Sequence, residues 1–214
     1  GLICLICLLS QVTSYLVYKI TKFLTDSEWA SLFAWGLFNI LVGLSPWLSI
    51  PYSDTISLIF PILTLYLYLK DGTLKYGYLK WFLIGFLSYV GYSIKPQAAI
   101  VLIAIVITGA INTISQLLKG INIKTIALVV VKAVILLTGC FLSMVIVALT
   151  TTPIKNDANY DDNKSYSLAH YVMLGMNSEC QGQYCREADN YSGSFDNSDD
   201  RFAANIAKTK EEIS

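Results

Sequence analysis

The chain has 214 residues, 55% of them hydrophobic and only 14% charged, where soluble globular domains carry about a quarter. That excludes an ordinary soluble domain, and the lack of a basic patch excludes nucleic acid as a partner. The formal net charge of zero hides a segregation: residues 1–150 hold nine Lys and four acids, residues 151–214 six Lys/Arg and eleven acids.

Six apolar runs are candidates for membrane spans: 1–18, 29–48, 55–69, 81–94, 97–117 and 125–149. A span needs about 20 mostly apolar residues. The first run opens GLICLICLLS, without Met or a charged lead-in. It reads as a helix already under way, and SDDRFAANIAKTKEEIS at the other end as a helix cut short, so more chain is expected on both sides. The runs 55–69 and 81–94 are short, and Pro61 predicts a kink in the former. At about 1.5 Å per residue, 81–94 covers roughly 21 Å. The fold class expected is therefore an all-α multi-pass membrane protein. Its transmembrane region is 1–150, followed by a polar, truncated extracytoplasmic domain at 151–214.

The connectors give an orientation. KITKFLTDSE, KDGTLKYGYLK and KGINIK hold seven lysines, and SIPYSDT and IKPQ hold one, Lys95. Positive charge collects on the cytoplasmic side. The lysine-rich connectors are thus expected inside, and SIPYSDT, IKPQ and the tail outside. Trp29 and Trp81 fall at inner boundaries and Trp47 at an outer one, and Lys132 is expected to snorkel inward. In the tail, SLAHYVMLGM (167–176) is an apolar island, expected to form a helix on the membrane or on other loops. A last helix is expected from Ser198 as cap, with Phe202, Ile206 and Ile213 on one face.

Either Ser53 or Asp54 caps the helix that opens the third span, or Asp54 is a carboxylate that binds or orients a polar substrate just below the outer surface. Lys95, in S-I-K-P-Q, precedes Pro96 at the start of the fifth span. Free N–H groups, the helix dipole and an ammonium make an anion site, with phosphate its natural guest. The plainer alternatives are a snorkelling lysine or an ion pair with Asp54. His170, the sole histidine, is either structural or part of the outer site. Cys180 and Cys185 flank QGQY on the oxidising side and are a disulfide candidate. Cys4, Cys7 and Cys140 read as small apolar residues. One histidine and no cysteine cluster give no metal-site spacing. Asp157, Asp161, Asp162 and Asp189 read as a solvated acidic loop or, less plainly, a cation site. Asn163-Lys-Ser and Asn190-Tyr-Ser fit the glycosylation pattern.

SPWLSIPYSDTISL, then GYSIKPQAAIVL, then a tail opening with LAHYVMLGMN resemble the multi-pass GT-C glycosyltransferases. The likeness is to bacterial members related to protein mannosyltransferases and lipid A aminoarabinose transferases. The resemblance implies sugar transfer from a polyprenyl-phosphate carrier to a glycan, lipid or protein acceptor on the outer face. It implies that Asp54 holds sugar or acceptor, that Lys95 binds the carrier phosphate and that His170 contacts phosphate or acceptor. Tyr52 and Gln97, beside the first two, join them as substrate-binding candidates. The acidic residue that serves such enzymes as base on the acceptor hydroxyl is expected upstream of residue 1, so the chain alone is expected to be inactive. No cofactor besides the donor is indicated, and a divalent metal is left open. The competing readings are an ion-coupled transporter or lipid flippase, with Asp54 and Lys95 as a coupling pair, and a non-catalytic membrane scaffold.

Overall fold

A computed structural model describes the chain except for residues 49, 51, 71–76, 120–122, 157–165, 178–182 and 214. The described residues form helices and no strand, divided into two compact units, Gly1–Leu149 and Thr150–Ser214. In order the helices are α1 (Leu2–Thr25), α2 (Glu28–Phe38), α3 (Ser53–Ser57), α4 (Ile59–Leu69), α5 (Gly77–Ile94), α6 (Ile100–Lys119), α7 (Ile123–Lys155), α8 (Leu168–Met176), α9 (Arg186–Gly193) and α10 (Ser198–Ile213). A π-helical turn, Asn39–Gly43, extends α2, and 3₁₀ turns occupy Pro46–Leu48 and Pro96–Ala99.

Among the described residues, three stretches are long and apolar enough to cross a membrane: Leu2–Thr25, Pro96–Leu118 and Ile126–Ile154. The expected runs 29–48 and 55–69 are broken. The first passes from α helix to π turn at Asn39. The second breaks at Leu58, where the missing N–H of Pro61 would leave the Ser57 carbonyl without its helical partner. The helices α1 and α7 outrun their expected C-terminal ends furthest. The KITKFLT part of the first connector is helical, because apolar side chains recur there without Gly or Pro. The helix stops only where Asp26 turns left-handed at φ 51° and its N–H bonds Lys22 O at 3.0 Å. Likewise α7 passes residue 149 and carries Pro153 in its last turn.

The first unit is built as lipid demands. Large apolar side chains such as Leu8, Phe33, Ile103 and Leu137 point outward, while Ser10, Thr13, Ser14, Ser31, Thr64, Ser88 and Ser143 are buried. With apolar solvent outside, close contact between small side chains drives packing. Several hydroxyls are satisfied within their own helix: Thr13 donates to Leu9 O at 2.7 Å and Ser31 to Ser27 O at 2.6 Å. The buried core, Ile84, Ile105 and Leu136, joins α5, α6 and α7.

Two glycines make the tightest seam. A Cβ at Gly85 of α5 would fall on the Leu136 carbonyl of α7, and one at Gly139 on the Phe82 carbonyl of α5. The Cys140 thiol donates to Gly85 O at 3.3 Å across the same contact. By contrast nothing lies within 4 Å of a Cβ at Gly109. Gly85→Val or Gly139→Val should therefore cost at least the ~1–3 kcal/mol of an overpacked core and lower membrane abundance and detergent-solubilised thermal stability, with Gly109→Ala neutral. Wild-type stability of both seam variants would refute this packing account.

Candidate functional site

The first unit brings together residues some forty positions apart. Lys95 ends α5 in extended backbone (φ −150°, ψ 121°), and Pro96 follows at the first position of the 3₁₀ turn that leads into α6. The Lys95 N–H bonds Gly91 O at 2.9 Å, and Lys95 O accepts from Ala98 N at 3.0 Å. Gly91 lets this end of α5 meet α4. A Cβ there would sit 2.6 Å from Phe60 Cβ and 3.1 Å from Ala98 Cβ. The approach carries Lys95 to the chain that opens α3.

There the Lys95 ammonium pairs with the Asp54 carboxylate and lies 5.4 Å from the centre of the Tyr52 ring. The ring face favours the cation. The Asp54 side chain is 45% exposed and that of Lys95 26%, so the pair faces an accessible surface. In water a pair of that exposure contributes only about 0–1 kcal/mol. Asp54 lies in the first turn of α3, and neither it nor Ser53 caps the helix with its side chain. The cap reading is thereby replaced by an ion pair. Gln97 stands exposed in the adjoining 3₁₀ turn. Asp54, Lys95 and Tyr52 thus form one cluster. It can hold a hydroxyl-bearing group at the carboxylate and an anion at the ammonium.

Sequence reasoning missed a second polar cluster. Asn39 opens the π turn, and its amide donates to Ser14 Oγ at 2.5 Å and to Trp35 O at 2.8 Å. It accepts from Gln11 Nε2 at 3.2 Å. Gln11 and Ser14 are mid-helix in α1. The visible signal was a pair of carboxamides, Gln11 and Asn39, each interrupting an apolar run.

His170 belongs to the second unit, where it is 3% exposed. Its Nδ1 lies 2.7 Å from Ser192 Oγ, which donates to Asn205 Oδ1 at 2.7 Å. Tyr166 stacks on the imidazole at 4.0 Å. Arg201 reaches under the same helices, donating Nε to Ser192 O at 2.9 Å and Nη2 to Phe195 O at 2.6 Å. Serine is the middle member of the His–Ser–Asn chain and is fully buried, so this is no nucleophile–base arrangement. The ring expected to reach phosphate or acceptor is bonded inside its own unit.

The buried stripe of α10 is polar, Arg201, Asn205 and Thr209, while Phe202 is 49% exposed. Of the expected apolar face, Phe202 is exposed and Ile206 half-buried. The cap of α10 is Asn197, whose Oδ1 accepts from Asp199 N at 2.9 Å, rather than Ser198. The apolar island forms α8, which buries Ala169, His170 and Met173 and exposes Leu168, Tyr171 and Met176.

Cys185 is disulfide-bonded and Cys4, Cys7 and Cys140 are free. Cys180 lies outside the described residues. So do Asp157, Asp161, Asp162 and Asn163. Asp189 accepts from the Tyr184 phenol at 3.1 Å. No cluster of three His, Cys, Asp or Glu suited to a metal occurs among the described residues. In Asn190-Tyr-Ser the hydroxyl is that of buried, helical Ser192, which withdraws it from recognition once the unit is folded.

Burial, reinforced by Arg201 and opposed by Asp189, holds the His170 pKa below its ordinary value. The folded ring stays neutral where an unfolded one would take a proton, so stability is full above about pH 6.5 and falls as pH drops below it. Hydrogen exchange of the α8–α10 peptides, corrected for intrinsic rates, should show more opening at pH 5.5 than at 7.5. His170→Asn, which keeps a polar group toward Ser192 but does not titrate, should flatten that difference. An unchanged pH response in the variant would exclude His170 as its source.

A family model described as conserved hypothetical integral membrane protein matches residues 3–213. No curated protein and no solved structure matches the chain. With nearly its whole length matched, the chain belongs to that integral membrane family.

Proposed function

We propose that this integral membrane protein supports transfer of a sugar from a polyprenyl-phosphate carrier to an acceptor on the outer face of the membrane, using Asp54 and Lys95. The observation that carries the reading is their convergence. A carboxylate and an ammonium from SIPYSDT and IKPQ meet at one accessible end of the first unit, with Tyr52 against the cation. In this reading α2 with its π turn, α3–α4 and α5 cross the bilayer beside the three longer helices, and Thr150–Ser214 is extracytoplasmic.

The chemistry follows from the charges. A departing lipid phosphate gains negative charge as the glycosidic bond breaks, and an ammonium fixed at that point stabilises it. Asp54 would accept hydrogen bonds from sugar or acceptor hydroxyls, and in the empty site it holds the Lys95 ammonium in place. Donor binding then exchanges one anionic partner of Lys95 for another. Gln97 supplies an amide at the rim. His170 has a structural part, holding α8 to α9 and α10. No described residue is assigned the general base.

A second reading has its own observation. The Gln11–Asn39–Ser14 amide cluster and the π turn put polar groups in mid-helix. π turns recur at functional sites. An ion-coupled transporter or lipid flippase would use such groups together with the Asp54–Lys95 pair.

The two readings separate in membranes containing the full-length protein. On the first, Lys95→Ala should lower transfer of labelled sugar from the polyprenyl-phosphate pool by ~10²–10³-fold at normal abundance, the range for loss of one such stabilising donor. Lys95→Arg should retain part of the activity, and Asp54→Ala should also be impaired. Full transfer in both alanine variants would overturn the site assignment. Loss of proton-dependent lipid movement with Gln11→Ala, without any sugar transfer in the wild type, would favour transport.

A further inference from the structure

At the end of the first unit opposite the Asp54–Lys95 pair, α4, α5, α6 and α7 surround a cleft of about 850 Å³. Its walls are largely apolar, with Ile105, Leu128 and Leu136 among them. Two lysines stand in it. Lys80 is nine-tenths buried and donates to Tyr68 O at 2.8 Å and Lys70 O at 3.2 Å, capping the last turn of α4. Lys132 stands roughly 14 Å along α7 from Ile123, at about 1.5 Å per residue. Its ammonium lies 5.5 Å from the centre of the Trp81 ring.

No carboxylate is among the described lining residues, and none among the described residues forms an ion pair with Lys132. A cation at that depth in an apolar wall marks a binding function by default. The lining adds the neutral polar side chains Asn112, Thr113 and Gln116. Positive charge above an apolar floor complements an amphiphile with an anionic head. A free inorganic anion would leave the apolar walls without a partner.

We propose that this cleft binds an anionic glycerophospholipid, its phosphate at Lys132 and the upper part of an acyl chain against Ile105, Leu128 and Leu136. Lys70, which follows α4 at the same end, would attract such lipids from the leaflet it faces. The site is separate from the Asp54–Lys95 cluster and stands whether or not that cluster transfers sugar.

The test is native mass spectrometry of the full-length protein from nanodiscs holding equal phosphatidylglycerol and phosphatidylcholine with matched chains, together with a competition series in inorganic phosphate. The wild type should retain phosphatidylglycerol preferentially, and millimolar inorganic phosphate should not displace it. Lys132→Ala should weaken retention about five-fold, the factor for the loss of one basic residue at a membrane surface. Lys132→Arg should restore it. Gly109→Leu, which projects into open space lining the cleft, should displace the lipid without a core clash. Equal retention of the two lipids would overturn the proposal. So would undiminished retention in both Lys132→Ala and Gly109→Leu, and displacement by inorganic phosphate would assign the site to a free anion instead.

Discussion

The first unit depends on the surface of α5, where side chains have been removed so that backbones can meet. Gly85 admits α7, and Gly91 admits Phe60 of α4 and Ala98 of the turn before α6. Between lipid-facing helices there is no gain from hiding apolar surface, so contact has to come from close packing of small groups. Both candidate sites descend from these contacts. At one end Gly91 sets Lys95 beside Asp54. At the other the Gly85 seam carries α7, and with it Lys132, past Trp81.

The second unit solves a different problem with polar groups. Its helices α8, α9 and α10 are short, so a purely apolar core would be small. The buried set is His170, Ser192, Arg201, Asn205 and Thr209, with Ala169, Met173 and Ala188 filling around them. Arg201 closes the α9–α10 connection by donating to two carbonyls. Most donors of this network find acceptors, the Asn205 amide nitrogen being the one left without a partner among the described residues. The His170–Ser192 bond ties the lone histidine to the fold of its own unit.

Much of this was legible in sequence because apolar length is a one-dimensional property. Long runs such as GLICLICLLS and IALVVVKAVILL declare a helix whatever surrounds them, and Pro96 announces the start of the next one. What stayed hidden depends on neighbours. Whether α10 packs through Phe202 or through Arg201 is decided by carbonyls on α9 that only the fold supplies. The capping role passed from Ser198 to Asn197 for a similar local reason, since the side chain one position earlier reaches the Asp199 N–H. The π turn follows from Asn39 meeting Ser14 and Gln11 on another helix. The Asp54–Lys95 pair lay between these extremes. The two charges were conspicuous, but Gly91 had to bring them together.

An ion pair can serve the fold or serve a substrate, and exchanging the charges distinguishes the two. The decisive measurement is sugar transfer and membrane abundance for the full-length protein carrying Asp54→Lys and Lys95→Asp together, beside each single reversal. If the pair is a substrate site, the double variant regains the abundance that the single reversals lose. It nevertheless stays inactive, because the cation no longer stands at the phosphate position. Recovery of full transfer in the double variant would contradict that account and leave Asp54 and Lys95 as a structural pair.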